Sequence, residues 1–244
     1  MVSSAPVALV TGGARRVGRA IVEDLAANGW AVAIHHNQSA DEAKAVADAI
    51  VARGGKAALV AGDLADPGCH TEMVTDAAKA LGTVTLLVNN ASIFEKDTVG
   101  SLDRAMFDRH FAVNLAAPVF LAEAFAAQLP TAAEGNIVNL LDQRIWRPTP
   151  AFFSYQLTKS ALWVATETLA LALAPRIRVN GIAPGPVLQS AQSTPEKFAQ
   201  LVASLPLQRA PDIGDFGRTI RYIVANRSIT GQVIALDGGQ HLEA

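Results

Sequence analysis

The chain has 244 residues, half of them hydrophobic, and a formal net charge of −2 at neutral pH. That length suits one well-packed domain, and no Pro- or Gly-rich linker divides it. Lysines and arginines are scattered and form no continuous basic face, so we expect no nucleic-acid partner.

Short apolar runs recur along the chain and alternate with segments of helical periodicity. These predicted strands are Val7–Val10, Ala31–Ile34, Ala57–Val60, Thr85–Val88, Asn136–Leu140, Arg178–Ile182 and Val233–Leu236. Because the strands are almost uncharged and the gaps are helical, the pattern predicts a parallel sheet covered by helices on both faces. The predicted fold class is therefore α/β: a single doubly wound, Rossmann-type domain spanning residues 1–244.

The first strand ends in a glycine-rich turn. In an open parallel sheet, ligands bind at the carboxyl ends of the strands. Glycines let the backbone approach a pyrophosphate, and the following helix offers free N–H groups and the positive end of its dipole. The turn residues that we predict to contact a dinucleotide are Gly12, Arg15, Arg16, Val17 and Gly18. The alternative is a tight turn that binds nothing.

The second strand ends in a polar segment without a carboxylate, comprising His35, His36, Asn37, Gln38 and Ser39. An acidic residue here normally accepts hydrogen bonds from the ribose of NAD(H). The donors present instead suit a 2′-phosphate, so the segment predicts NADP(H) as the cofactor. The alternative is an ordinary polar β–α loop, and neither histidine has the setting of a metal ligand.

Polar residues also end the third and fourth strands. Asp63, followed by Leu64, is predicted to accept a bond from the adenine amino group. Asn90, Ala91 and Ser92 leave room for adenosine and ribose. Either segment alone could be a capping or turn motif.

Prolines punctuate the stretch Ala183–Pro211, which begins with Pro184 and Gly185 and holds a short predicted helix around Glu196–Ser204. We interpret residues 183–211 as a mobile lid over a substrate.

Features of the sequence also bear on location. Met1–Pro6 lacks a charged region followed by an apolar core, and no apolar run reaches the roughly 20 residues that cross a bilayer. Cys69 is the only cysteine and has no Cys or His companions at metal-ligand spacing. We therefore expect a cytoplasmic protein that binds neither a membrane nor a metal.

Tyr155 and Lys159 lie one turn apart if Phe152–Ala174 is a helix. An ammonium group beside a phenol favours the phenolate and lowers its pKa from about 10 toward neutral pH. The pair therefore predicts a tyrosine that gives or takes a proton during hydride transfer. The alternative is that the tyrosine and the lysine are simply an exposed i,i+4 pair on a helix surface.

These motifs together resemble the short-chain dehydrogenase/reductase family from Val7 to Gly239. The matching residues are Thr11, Gly12, Gly18, Asp63, Asn89, Asn90, Ala91, Asn114, Tyr155, Lys159, Pro184, Gly185, Asp237, Gly238 and Gly239. Two departures, Arg16 in place of a small residue and Asp142 in place of a serine, are similar to the pteridine and dihydromonapterin reductases within that family.

The resemblance implies roles at the chemical centre. Asp142 follows the strand at Asn136–Leu141 and, by resemblance, supplies a proton to a pterin ring nitrogen through a water, with Tyr155 and Lys159 completing the relay. The alternative for Asp142 is a turn cap or a salt bridge to Arg144 or Arg147.

Further residues receive roles from the same resemblance. Asn114 holds a helix kink and a water that leads to the lysine, or else is an ordinary buried amide. Phe94 stacks on a flat pterin. Arg16 and Ser92 meet the pterin edge or the cofactor phosphates. A homotetramer built through Phe111–Gln128 and Phe152–Ala174 is also expected.

Two other functions stay open at this point. One is a reductase of the same family that acts on a ketone, such as a 3-oxoacyl or sugar-derived carbonyl. The other is an NADP(H)-binding sensor without turnover. Fold alone does not separate them.

Overall fold

The computed structural model describes residues 5–189 and 193–242, which contain one sheet of seven parallel strands. The strands are β1 (Val7–Val10), β2 (Ala31–His36), β3 (Ala57–Ala61), β4 (Val84–Asn89), β5 (Gly135–Leu140), β6 (Ile177–Pro184) and β7 (Val233–Leu236). They lie in the order β3-β2-β1-β4-β5-β6-β7. The predicted strands and the doubly wound α/β fold are therefore confirmed.

Helices fill the connections between the strands. They are α1 (Arg16–Ala27), α2 (Ala40–Ala52), α3 (Cys69–Leu81), α4 (Arg104–Phe111), α5 (Ala117–Gln128), α6 (Phe153–Leu173), α7 (Pro195–Ser204) and α8 (Gly214–Ala225). A π-helical segment, Ala112–Ala116, joins α4 to α5, and single 3-10 turns lie at Gln143–Ile145 and Gln240–Leu242.

Two apolar cores lie on opposite faces of the sheet. Strand β1 shows the alternation, because Leu9 belongs to the core formed with α3, α5 and α6, whereas Val10 belongs to the core formed with α1, α2 and α8. Both side chains are fully buried. Each such burial stabilises the fold by about 1.5–3 kcal/mol, which explains why these strands carry no polar face.

The helical stretch Arg104–Gln128 is long and apolar enough to cross a membrane by length and composition alone. Its most apolar 18-residue window has a mean hydropathy of 1.4. Leu121 and Phe125 are fully buried, and α5 packs against α3 and the sheet. The apolar character of this helix therefore belongs to the core.

Strand order fixes where a ligand can bind. The chain runs outward from β1 to β3 on one side and from β4 to β7 on the other, so the direction of winding changes between β1 and β4. Crossover helices leave a crevice at the carboxyl ends of the strands at such a point. The predicted dinucleotide residues lie at this edge.

Candidate active site

Two cavities open at the carboxyl edge of the sheet. The larger one has a volume of about 520 Å³, within the usual range for a small-molecule site. Its wall brings together ten of the predicted residues, namely Arg16, Val17, Asn90, Ser92, Phe94, Asp142, Tyr155, Lys159, Pro184 and Gly185. The smaller one, about 240 Å³, lies at the ends of β1 and β2 and is called here the polar cavity; its wall comprises Gly12, Ala14, Arg15, His36, Asn37, Gln38, Ser39 and Arg109.

The glycine-rich turn is joined to the end of β4. Asn90 donates its amide hydrogens to the carbonyl oxygens of Thr11 at 2.8 Å and of Gly12 at 3.2 Å. The Thr11 hydroxyl accepts from the backbone N–H groups of Asn90 and Ala91 at 2.9 and 3.0 Å. A Cβ atom on Gly18 would lie 2.1 Å from the Gly12 carbonyl oxygen, so this close approach requires glycine.

His35 is hydrogen-bonded to the glycine-rich turn and lines neither of the two cavities. Its Nδ1 accepts a hydrogen bond from the Gly12 N–H at 3.1 Å, and its Nε2 lies 3.2 Å from the carbonyl oxygen of Gly62. Burial lowers the pKa of His35 from 6.5 to about 4, so the ring is neutral at physiological pH. The prediction of direct cofactor contact is corrected for His35: the imidazole positions the turn.

Protonation of His35 at acidic pH is expected to lower the free energy of unfolding. The unfolded chain binds a proton near pH 6.5, whereas the folded protein binds it only near pH 4, so stability falls as the pH decreases between these values. We expect the free energy of unfolding to fall by on the order of 3 kcal/mol more in the wild type than in His35→Gln. Urea denaturation at several pH values measures this, and parallel pH profiles for the two proteins would contradict the role.

Asp63 and Leu64, at the end of β3, occupy different environments. The Asp63 side chain accepts from the Ala65 N–H at 3.0 Å and lies 3.7 Å from the Arg109 guanidinium. It therefore caps its own turn, and its contact with adenine stays a prediction. The Leu64 side chain is buried in the core, and its contact with the cofactor stays a prediction.

The side chains predicted to be catalytic converge between β5 and α6. The Tyr155 hydroxyl donates to Asp142 Oδ2 at 2.8 Å, and both residues are buried. Lys159, one turn further along α6, donates from Nζ to the Leu140 carbonyl oxygen at 2.7 Å. The same Nζ lies 5.7 Å from the centre of the Tyr155 ring.

The pKa of Tyr155 differs from the expectation. Burial, followed by the charge of Asp142 and its hydrogen bond, raises the pKa of the phenol well above its usual value. The predicted lowering by Lys159 is therefore wrong, because the carboxylate contacts the hydroxyl directly while the ammonium bonds to a backbone carbonyl. Burial also lowers the pKa of Lys159 from 10.5 to about 8. At neutral pH, Tyr155 carries a proton and can donate it.

Asp142 shows both of its structural alternatives, a turn cap and a salt bridge, and also contacts Tyr155. Its Oδ1 accepts from the Arg144 N–H at 2.8 Å and caps the 3-10 turn. The Arg144 guanidinium donates to Oδ2 at 3.0 Å, whereas Arg147 donates to the Gln240 carbonyl oxygen. The cap and the ion pair leave Oδ2 in contact with Tyr155, so they orient the carboxylate toward the cavity.

An aromatic wall stands beside this carboxylate. Phe94 stacks on Phe152 with ring centres 4.2 Å apart and meets Tyr155 edge-on at 4.7 Å. The Arg144 guanidinium lies 5.4 Å from both phenylalanine ring centres. Phe152 was not predicted as a site residue, and Arg144 was predicted only as a possible salt-bridge partner of Asp142. Phe152 precedes α6 with a left-handed backbone, φ 59°, which no residue pattern signals.

Asn114 holds the segment that carries Phe94. Its Oδ1 accepts from the Ile93 N–H at 2.8 Å and from the Ser92 hydroxyl at 3.2 Å, and its Nδ2 donates to the Ile93 carbonyl at 3.0 Å. Asn114 is fully buried and lies inside the π-helical segment. The helix irregularity implied by the resemblance is therefore present, and the amide positions neighbouring site residues.

Arg16 links the glycine-rich turn to the start of the predicted lid. Its guanidinium donates to the carbonyl oxygens of Leu188 and Gln189 at 3.3 and 3.1 Å. Phe198 and Leu201 of α7 line the same large cavity, so this segment covers the site. The predicted helix is confirmed at Pro195–Ser204; residues 190–192 lie outside the described residues, and the mobility of the lid stays a prediction.

Across residues 5–189 and 193–242, no group of three or more His, Cys, Asp or Glu side chains is placed to hold a metal ion.

Residues 6–199 match the family model described as short chain dehydrogenase. The chain belongs to this family. The FolM alternative dihydrofolate reductase 1 of Brucella canis, complexed with NADP, is 57% identical over 98% of this chain and 95% of its own, with a TM-score of 0.96. The protein of the same name from Brucella suis, also with NADP, is 58% identical over 100% of this chain and 98% of its own, again with a TM-score of 0.96.

A more distant relative is the 3-oxoacyl-[acyl-carrier-protein] reductase FabG of Staphylococcus epidermidis, 29% identical over 96% of this chain and 98% of its own. Together with the fold, these similarities establish the chain as an oxidoreductase that uses NADP(H). The cofactor predicted from the end of β2 is thereby confirmed.

Proposed function

We propose that this enzyme reduces a pterin or dihydropterin with hydride from NADPH. The observation that carries the proposal is the buried hydrogen bond from Tyr155 to Asp142 beside the aromatic wall. Reduction of a ring C=N bond requires a hydride at carbon and a proton at nitrogen. NADPH supplies the hydride when bound, and the chain must supply the proton.

Asp142 favours a nitrogen-containing ring over a ketone. A ketone oxygen that gains negative charge requires neutral or cationic donors, and a carboxylate in contact with it would repel that charge. A pterin instead presents N–H groups from which a carboxylate can accept hydrogen bonds. It also has a ring nitrogen that must be protonated. Phe94 lines the large cavity and is backed by the stacked ring of Phe152, so it offers an apolar ring surface for such a bicycle.

The proton path follows from the same geometry. Tyr155 is protonated and donates to Asp142, so a proton can pass along this bond and then, through a water, to the ring nitrogen. Lys159 keeps its ammonium form below about pH 8, next to the Tyr155 ring, where it can hold the nicotinamide ribose. Asn114 acts through Ser92 and Ile93 as a positioning residue.

The chain also fits the cofactor that this reaction needs. The glycine-rich turn has no room for a Cβ atom at Gly18. The polar cavity beside the turn is lined by Arg15 and residues 36–39. A pyrophosphate would lie at the N-terminus of α1, and a 2′-phosphate in the polar cavity. The names of the two Brucella relatives, both dihydrofolate reductases, also support a pterin-type substrate.

The substrate class is tested by following NADPH absorbance with two panels of compounds. One contains dihydrobiopterin, dihydromonapterin and dihydrofolate; the other contains acetoacetyl thioesters and simple diketones. We expect kcat/KM for the best dihydropterin to exceed that for the best ketone by at least about tenfold. Turnover on ketones alone would contradict the proposal and favour the second candidate, a carbonyl reductase, which similarity to FabG supports.

We also propose that the enzyme is a cytoplasmic homotetramer assembled through α5 and α6. Exposed apolar side chains on these helices support this assembly, with Phe120 50% and Val164 60% exposed. Light scattering at micromolar concentration measures the mass, and a monomer would contradict the assembly.

A further inference from the structure

The polar cavity contains an arginine that no sequence motif pointed to. Arg109 lies near the end of α4, and its side chain lines this cavity together with Arg15 and residues 36–39. We propose that Arg109 is a specificity-determining residue that binds the 2′-phosphate of NADP(H) and so selects it over NAD(H).

The composition of the wall supports a doubly charged phosphate as the ligand. The wall comprises two arginines, three short or medium polar side chains at 37–39, His36 and the glycine-rich turn, with no carboxylate among these residues. A guanidinium can donate two parallel hydrogen bonds to one phosphate, which a neutral ribose hydroxyl cannot match. Two arginines around about 240 Å³ therefore favour the 2′-phosphate strongly.

The two arginines differ in how firmly each is held. Arg15 forms a hydrogen-bonded ion pair with Glu42 of α2. Arg109 lies 3.7 Å from Asp63, and the side chains of the two residues are 53% and 42% exposed. This second pair is too long for a normal hydrogen bond and is screened by solvent, so it opposes rearrangement only weakly. Arg109 can therefore turn its N–H groups to an incoming phosphate at little cost.

The sheet brings Arg109 to this position. Helix α4 follows β4, whereas the rest of the wall comes from the ends of β1 and β2. The Arg109 side chain thus completes the phosphate site from a helix that begins more than sixty residues after the end of β2. It lies beside Asp63 at the end of β3, where adenine is expected to bind.

The test is fluorescence titration of the full-length enzyme with NADPH and with NADH. We expect Arg109→Gln to weaken NADPH binding by at least about tenfold, the effect of losing a charge-assisted bond, and to leave NADH binding unchanged. Arg109→Lys, which keeps the charge but not the paired donors, should lie between Arg109→Gln and the wild type. No pterin takes part, so the result is independent of the proposed substrate.

Arg104→Gln is the matched control. Arg104 lies on the same helix in an ion pair with Asp108 at 2.8 Å and does not line the polar cavity, so we expect wild-type affinity for both nucleotides. An equal loss of NADPH and NADH affinity in Arg109→Gln would overturn the proposal, since it would place Arg109 at the adenine or in the fold. Unchanged NADPH affinity would overturn it too. If Arg109→Gln fails to fold, the same two outcomes are read from Arg109→Lys.

Discussion

Tyr155→Phe is expected to reduce turnover by about 10²–10⁴-fold, the usual contribution of a positioned acid. The substitution removes only the hydroxyl that donates to Asp142 and leaves the ring that meets Phe94 edge-on. NADPH affinity should therefore stay within roughly twofold of the wild type. Steady-state kinetics and fluorescence titration measure the two quantities separately.

Tyr222→Phe provides a matched control, since Tyr222 is the only other tyrosine and is 55% exposed on α8, away from both cavities. It should behave as the wild type. Full turnover in Tyr155→Phe would exclude Tyr155 as the proton donor.

Activity of the wild type should also fall above about pH 8, where Lys159 loses its proton.

Asp142→Ser is expected to lower kcat/KM for a dihydropterin by about 10²-fold or more and to lower it much less, or raise it, for a diketone. Serine removes the carboxylate but leaves a neutral hydroxyl that suits a ketone oxygen. The pKa of Tyr155 should fall in this variant, because the charge of Asp142 and its hydrogen bond both raise it. Parallel assays on both substrate classes, with a pH profile of each, measure these effects.

Asp24→Asn controls for the loss of an Asp–Arg pair. Asp24 and Arg221 lie 2.8 Å apart with burial similar to that of Asp142 and Arg144, but neither residue lines either of the two cavities described above. We expect the same substrate preference as in the wild type. An equal fall on pterins in both variants would show that Asp142 matters only for stability.

The strands and the strand-end residues could be predicted because they depend on local pattern. Uncharged runs separated by helical segments define a buried parallel sheet, and its topology carries every strand end to one edge. The turn that ends in Gly18 was found in this way, whereas Tyr155 was found from its one-turn spacing to Lys159. The burial of Leu64 could not be predicted, because a residue at a strand end can still turn its side chain into the core.

The site features that the sequence did not reveal depend on contacts between distant segments. Arg109 reaches the polar cavity from α4, and Phe152 joins the aromatic wall through a left-handed backbone. His35 was assigned to the cofactor because sequence cannot show that both ring nitrogens are already bonded. The pKa of Tyr155 was misjudged because its direction depends on whether Lys159 or Asp142 touches the hydroxyl.

The most direct test of the central claim follows the hydride itself. The enzyme is supplied with NADPH doubly deuterated at the nicotinamide C4 and with a dihydropterin, and the product is analysed by mass spectrometry and proton NMR. We expect a tetrahydropterin with one deuterium on a ring carbon and none on nitrogen after exchange in water. A pterin recovered without deuterium, beside a diketone converted to a deuterated alcohol in the same mixture, would contradict it.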